Sequence, residues 1–220
     1  MTSSGRPKVD PDPEVRAAIL AAALAIVRDD GVRALAIAQV LARAQLGTRA
    51  FYRHFDSKDQ LIAAMFLEIA RSEMERLKEK MAGTDPVRAV AAWIDGRLDL
   101  AFDAQIQSDL RRMSLEAQSQ MFAAPELVAP AYAEILGPLV DEVERGARLG
   151  LFVDVDPAAE ALSIHGVVWA SVERQWSTGI SDLSDIRQRV QRFCLRGLGV
   201  AADLIDEVVS AGQLRRSQTR

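Results

Sequence analysis

Between Thr48 and Lys58 stand a hydroxyl, two guanidiniums, a phenol, an imidazole and an ammonium: Thr48, Arg49, Arg53, Tyr52, His54 and Lys58. Donors of these kinds suit phosphate oxygens and the acceptor-rich edges of base pairs. Their spacing gives them a direction. Phe51 and Phe55 are four residues apart, so they share one face of a short helix and can anchor it to a core. Thr48, Arg49, Tyr52 and Arg53 then fall on the side that faces out.

The elements that must hold this face surround it. Val40, Leu41 and Ala44 form an apolar face at helical spacing and place a helix over about Ile37 to Ala44. Gln45-Leu46-Gly47 interrupts it. Thr48 to His54 reads as a second helix, about two turns long. Asp56-Ser57 stops that helix and offers a cap for the next, with Lys58 at its start. Two short helices joined by a tight turn, the second exposing donors, make a helix-turn-helix. Its second helix has the size and chemistry to enter a DNA major groove. Gln39 and Arg43, on the first helix of the pair, join the expected DNA contacts.

Ala44-Gln45-Leu46, followed by the run Phe51-Tyr52-Arg53-His54-Phe55-Asp56-Ser57-Lys58, resembles the signature of the TetR family of bacterial transcriptional regulators. The resemblance covers roughly residues 13 to 80; the rest fits in helix pattern alone. It implies that Tyr52, His54 and Lys58 contact the DNA backbone. The chain departs from the family in three places. Leu41 stands where a small Ala is usual, Gln45 where a Gly is usual, and Gly47 where a Ser or Thr cap is usual. Gly47 can still cap a helix, weakly. Gln45 must take a turn conformation that Gly adopts at less cost.

Composition sets the outer limits. The 220 residues are 49% apolar, and Ala is abundant while aromatics are scarce, which favours helices over sheets. The net charge of −4 is unevenly spread. Residues 1–60 hold nine Lys/Arg against seven Asp/Glu, and residues 61–220 hold eighteen against twenty-four. The basic excess lies with the helix-turn-helix, and the acidic remainder should stay off DNA. A single Cys excludes an intramolecular disulfide and fits a reducing cytosol. No stretch has the shape of a signal peptide or the length of a membrane span, so a cytoplasmic protein without a membrane partner is expected.

The expected fold is all-α. Residues 1–11 read as a disordered arm whose Arg6 and Lys8 could reach DNA, although a frayed terminus is the plainer reading. Residues 12–57 form the DNA-binding domain, opened by an Asp12-Pro13 helix start and a helix that ends at Gly31. Residues 58–83 form a long connecting helix. Gly83-Thr84-Asp85-Pro86 breaks it. Residues 84–211 form an effector-binding and dimerisation domain, and residues 212–220 a polar tail. Within that domain, helices are expected over 87–103, 105–123, 125–146, 157–177 and from Ser184 or Asp185 onward, with a weak helix at 202–210. Pro130 and Pro138 predict kinks or a break. Residues 151–155 read as a short extended link.

Chemistry elsewhere is thin. There is no Gly-rich phosphate loop, zinc-type Cys pair or nucleophile elbow. Asp154, Asp156 and Glu160 near His165 lack regular metal-ligand spacing, and two of them suit a helix start. Cys194 reads as packed. No cofactor, metal or catalytic residue is expected. Trp93, Phe102, Met113, Ala117, Gln118, Met121, Tyr132, His165 and Trp169 could line a cavity for a hydrophobic ligand; for any one of them, core is the plainer reading. Resemblance to the family places the effector there. Val168, Val172, Ile186, Val190 and Phe193 supply apolar faces on the last two long helices, which could pair with a second copy in a four-helix interface. Dimerisation there is again what the resemblance implies.

The function that follows is a homodimeric, ligand-responsive regulator that binds double-stranded DNA at a palindromic operator. Repression is the usual mode in the family, and the few charged residues on the faces of 105–123 and 157–177 point to a small lipophilic effector as what relieves it. Two alternatives differ in class: a helical protein-interaction module that has lost DNA binding, and an all-helical enzyme using the C-terminal cavity.

Overall fold

The structure, a computed structural model, describes residues 12–31, 34–102, 125–179 and 182–217. The segments expected to be the N-terminal arm and the helix over 105–123 therefore lie outside the described residues, and with them Arg6, Lys8, Met113, Ala117, Gln118 and Met121. The described residues are helices and their connections, and they divide into two compact units. One holds residues 12–67 with 125–128, and the other residues 68–102, 129–179 and 182–217.

The first unit contains α1 (Pro13–Asp30), α2 (Ile37–Ala44), α3 (Thr48–His54) and the start of α4 (Lys58–Met81). Each boundary has a local cause. Asp12 accepts a hydrogen bond from the Glu14 amide at 2.9 Å and Pro13 fills the first turn, so α1 starts there. Gly31, at φ 80°, ends it. Ser57 Oγ accepts from the Gln60 amide at 3.1 Å, and the Gln60 side chain reaches back to the Asp56 amide at 2.8 Å. These two bonds fix the entry into α4. Ile19, Ala23, Ile26, Leu35, Val40, Phe51, Phe55 and Leu61 are buried in this unit.

The second unit takes the remainder of α4, then α5 (Pro86–Phe102), α6 (Pro125–Arg148, from residue 129 on), α7 (Pro157–Thr178), α8 (Leu183–Gly197) and α9 (Ala202–Ser217). Helix α5 is its centre and packs against α7, α8 and α9. Val90, Trp93, Ile94 and Leu98 of α5 are fully covered. Where α5 passes α4 the approach is close: a Cβ on Gly96 would sit 2.8 Å from Leu77 Cδ1. Arg187 and Gln191 are buried polar residues on α8. Arg187 donates to Asp99, and the Gln191 amide donates to Asp95 at 2.9 Å, tying α8 to α5.

Three helices differ in detail from the sequence expectations. Helix α6 runs without a break through Pro130 and Pro138. Each proline removes only one backbone donor, the ladder on either side persists, and Pro130 is near the exposed first turns. Helix α9 continues to Ser217, past the short helix expected at 202–210. Helix α8 begins at Leu183 because Asp182, rather than Ser184 or Asp185, accepts the Ser184 amide at 2.9 Å.

Candidate nucleic-acid interface and effector cluster

The turn between α2 and α3 decides whether a reading helix can be presented. Gln45 takes the left-handed conformation there, at φ 55° and ψ 39°. The Leu46 amide then donates to the Leu41 carbonyl at 2.9 Å and closes α2. Gly47 caps α3 through an extended backbone without a side-chain bond. The departures at these positions thus keep a tight turn, with the left-handed cost carried by Gln45.

Helix α3 is pinned by aromatics. Phe51 is fully buried and Phe55 nearly so, and their ring centroids lie 5.6 Å apart. Arg16 of α1 lies over the Phe55 ring at 5.3 Å. Tyr52 meets Phe51 edge-on at 5.3 Å yet stays 56% exposed. Thr48, Arg49 and Arg53 are exposed beside it, as are Gln39 of α2 and Lys58 at the start of α4. His54 is half-buried, and its Nδ1 is enclosed without a partner. Any phosphate contact by that ring must therefore use Nε2. Arg43 is exposed but engaged: it donates to Asp29 of α1 at 2.6 Å. No local pattern signals this pairing, which joins two helices across fourteen residues of chain.

The second unit gathers several of the residues read as ligand contacts. Tyr132 of α6 and Trp93 of α5 both meet His165 of α7 edge-on, with centroid distances of 5.6 and 6.3 Å. Trp169, one turn from His165, meets Trp176 at 5.6 Å. Trp93 is wholly covered and donates its indole N–H to the Ile135 carbonyl at 3.2 Å, so it acts as a wall. Phe102 is half-buried at the end of α5. Two residues that the sequence reading missed complete the cluster. Arg97 of α5 donates to Glu73 of α4 at 2.7 Å, with both side chains largely covered. Burial raises the Glu73 carboxyl above its ordinary value, against the pull of Arg97. Burial, helped by the Arg97 charge, lowers His165 to about 4, so its imidazole is neutral near pH 7. Burial also raises the Tyr132 phenol. A lone Glu and a lone Arg on separate helices carry no sequence signal that they meet.

The residues read as a dimer face separate into two groups. Val168 and Val172 are buried on the inner side of α7, and Ile186 and Val190 are also nearly covered by their own chain. Phe193 is 64% exposed. It lines an open groove of 360 Å³ between α7 and α8, with Val167, Ala170, Ser171 and Arg174 on the opposite wall. Cys194 is buried, which pushes its thiol up to about 12. Among the described residues, no group of three or more His, Cys, Asp or Glu side chains could hold a metal ion, and no helix is long and apolar enough to cross a membrane.

Comparison with known proteins agrees with this geometry. Residues 19–65 match the sequence model of bacterial regulatory proteins, tetR family. The chain is 28% identical over 186 residues to the HTH-type transcriptional repressor KstR of Rhodococcus jostii, covering 81% of this chain and 80% of that protein. It is 26% identical over 181 residues to KstR of Mycolicibacterium smegmatis, covering 80% and 83%. Among solved structures, RolR in complex with resorcinol superposes with a TM-score of 0.69 at 22% identity, over 90% of this chain and 94% of RolR. At that identity the likeness is one of fold.

Proposed function

We propose that this chain, a member of the TetR family of bacterial regulators, is a homodimeric transcriptional repressor released from a palindromic operator by a small lipophilic effector. The observation that carries the reading is the presentation of α3. Its apolar side is locked by Phe51 and Phe55, and Thr48, Arg49, Tyr52 and Arg53 are left outside as a row of donors. Two such helices on a two-fold dimer fit successive major grooves of a palindrome. The KstR relatives are repressors by name, which supports repression as the sign of regulation.

Effector binding is assigned to the second unit. Among the described residues, the aromatic cluster around His165 has Arg97 as its neighbouring charge, paired with Glu73, which suits a weakly polar molecule. RolR, of the same fold, is described with resorcinol bound. Helix α4 is the element suited to transmit the event. It carries Lys58 at one end and Glu73 of the cluster further along, in one helix of about 36 Å. An effector that binds better to a conformation with misplaced reading helices lowers DNA affinity, and the linkage is reciprocal. Dimerisation is assigned to the α7–α8 groove, where Phe193 projects. The protein is placed in the cytoplasm, where its DNA is.

Fluorescence anisotropy with DNA from upstream of the chain's own gene tests the reading. Saturable binding, two protomers per site, is expected. No binding at low salt to any such fragment would leave a protein-interaction module as the better reading.

A further inference from the structure

Two polar atoms on one face of α7 are buried without any partner: Nδ1 of His165 and Nε1 of Trp169. The residues are four apart, so the two atoms belong to adjacent turns of the same face. Folded proteins rarely leave such atoms unmatched, because a buried donor without an acceptor has lost its water and gained nothing. Trp169 Nε1 can only donate. His165 is neutral near pH 7, so Nδ1 can accept or donate according to tautomer.

Charge narrows what could meet these atoms. Arg97 is the charged group that acts on both His165 and Tyr132, and it is already held by Glu73 at 2.7 Å. Among the described residues, the cation that acts on His165 and Tyr132 is thus already matched by a carboxylate, which leaves it little to offer an entering anion. A cation would find a carboxylate already committed and a nearby guanidinium that opposes it. Shape narrows it further. Tyr132 and Trp169 are half-buried rings and Trp93 is a covered wall, which together favour a flat apolar body.

Resting on the effector reading above, the geometry points to an uncharged, flat aromatic ligand whose oxygen accepts from Trp169 Nε1 and whose second polar contact is His165 Nδ1. A phenol or an aromatic ketone has this chemistry; a carboxylate, a phosphate ester or a quaternary ammonium does not.

The test is calorimetric titration of the full chain at pH 7 with three probes of one ring system: 2-naphthol, 2-naphthoate and 2-naphthyltrimethylammonium. The naphthol should bind saturably and the two ions at least about tenfold more weakly. Trp169→Phe keeps the ring and removes the N–H, and should weaken naphthol binding by about tenfold. His165→Phe should act in the same direction. Either ion binding as well as the naphthol overturns the assignment, and so does an absence of naphthol binding. Unchanged naphthol affinity in folded Trp169→Phe also overturns it. Operator affinity measured with each probe separates the two claims. If the naphthol binds through Trp169 but leaves operator affinity unchanged, the effector reading fails and the ligand class stands. If a charged probe binds and releases the operator, the class fails and the effector reading stands.

Discussion

Arg43 of α2 donates to Asp29 of α1 across 2.6 Å, and Asp29 also receives Arg28 at 3.3 Å. The side-chain bond from Arg43, with a second from Arg28, holds the Asp29 carboxyl below its ordinary value. An arginine next to the reading turn is thus neutralised by its own chain. Asp29→Asn should free it for a phosphate. The expected result is higher operator affinity at low salt and a salt dependence steeper by about one unit of slope. Anisotropy titrations across a salt series check this; an unchanged slope would mean that Arg43 stays off the DNA.

Gln45 supplies the second prediction. It sits at φ 55°, where a β-branched residue is strained. Gln45→Val should destabilise the protein by about 1–2 kcal/mol. It should also weaken DNA binding by loosening the turn before α3. Gln45→Gly should keep both near wild type, because relief of strain is offset by greater freedom of the unfolded chain. Chemical denaturation paired with anisotropy reads both effects.

His165 makes stability depend on pH. Its folded value is lowered from 6.5 to about 4, so the unfolded chain takes up a proton in that window and the folded chain does not. The stabilising contribution is therefore full above pH 6.5 and is lost as pH falls through the window. It amounts to as much as about 3 kcal/mol. Glu73 acts in the opposite sense. Its carboxyl is raised, so its contribution is greatest at low pH and declines above the ordinary value of 4.5. The difference in denaturation free energy between wild type and His165→Phe, followed from pH 7 to pH 4, isolates the histidine. It should shrink on acidification. A constant difference would mean that His165 is not held neutral.

Phe193 and Val168 distinguish an interface from a core. Phe193→Asp places a carboxylate on an exposed groove, so it should give a folded monomer by sedimentation velocity. Val168→Asp places one in the subunit's own core and should cost roughly 3 kcal/mol or more in stability. A wild type that is monomeric at micromolar concentration would contradict the dimer.

Much of this was legible in the sequence, for physical reasons specific to each element. Helix α3 was readable because Gln45-Leu46-Gly47 interrupts the chain before it, Phe51 and Phe55 share a face, and Asp56-Ser57 punctuates the chain after it. The start of α7 was readable because Asp156 caps it ahead of Pro157. The inner and outer sides of α7 were not. Val168 and Val167 are adjacent and equally apolar, and only packing decides which one α7 turns inward. The cluster at His165 was partly readable from residue type, but its charge balance depends on Arg97 and Glu73, which meet across 24 residues of chain. Whether α6 would break at its two prolines was left open by local propensity, which is weaker than the packing of Ala131, Ile135, Leu139 and Val143 along one buried stripe.

The central claim is that α3 reads DNA, and Arg49 tests it most directly. Arg49 is exposed in the first turns of α3, on the side away from Phe51. The measurement is operator affinity by fluorescence anisotropy for wild type and Arg49→Ala, against the cognate fragment and an unrelated duplex. If Arg49 pairs with a guanine, the substitution costs about 1–3 kcal/mol on the cognate fragment and little on the other, so discrimination between the two falls. Equal affinity of wild type and Arg49→Ala for the cognate fragment, with discrimination intact, would contradict Arg49 as a reader and count against α3 as the recognition helix.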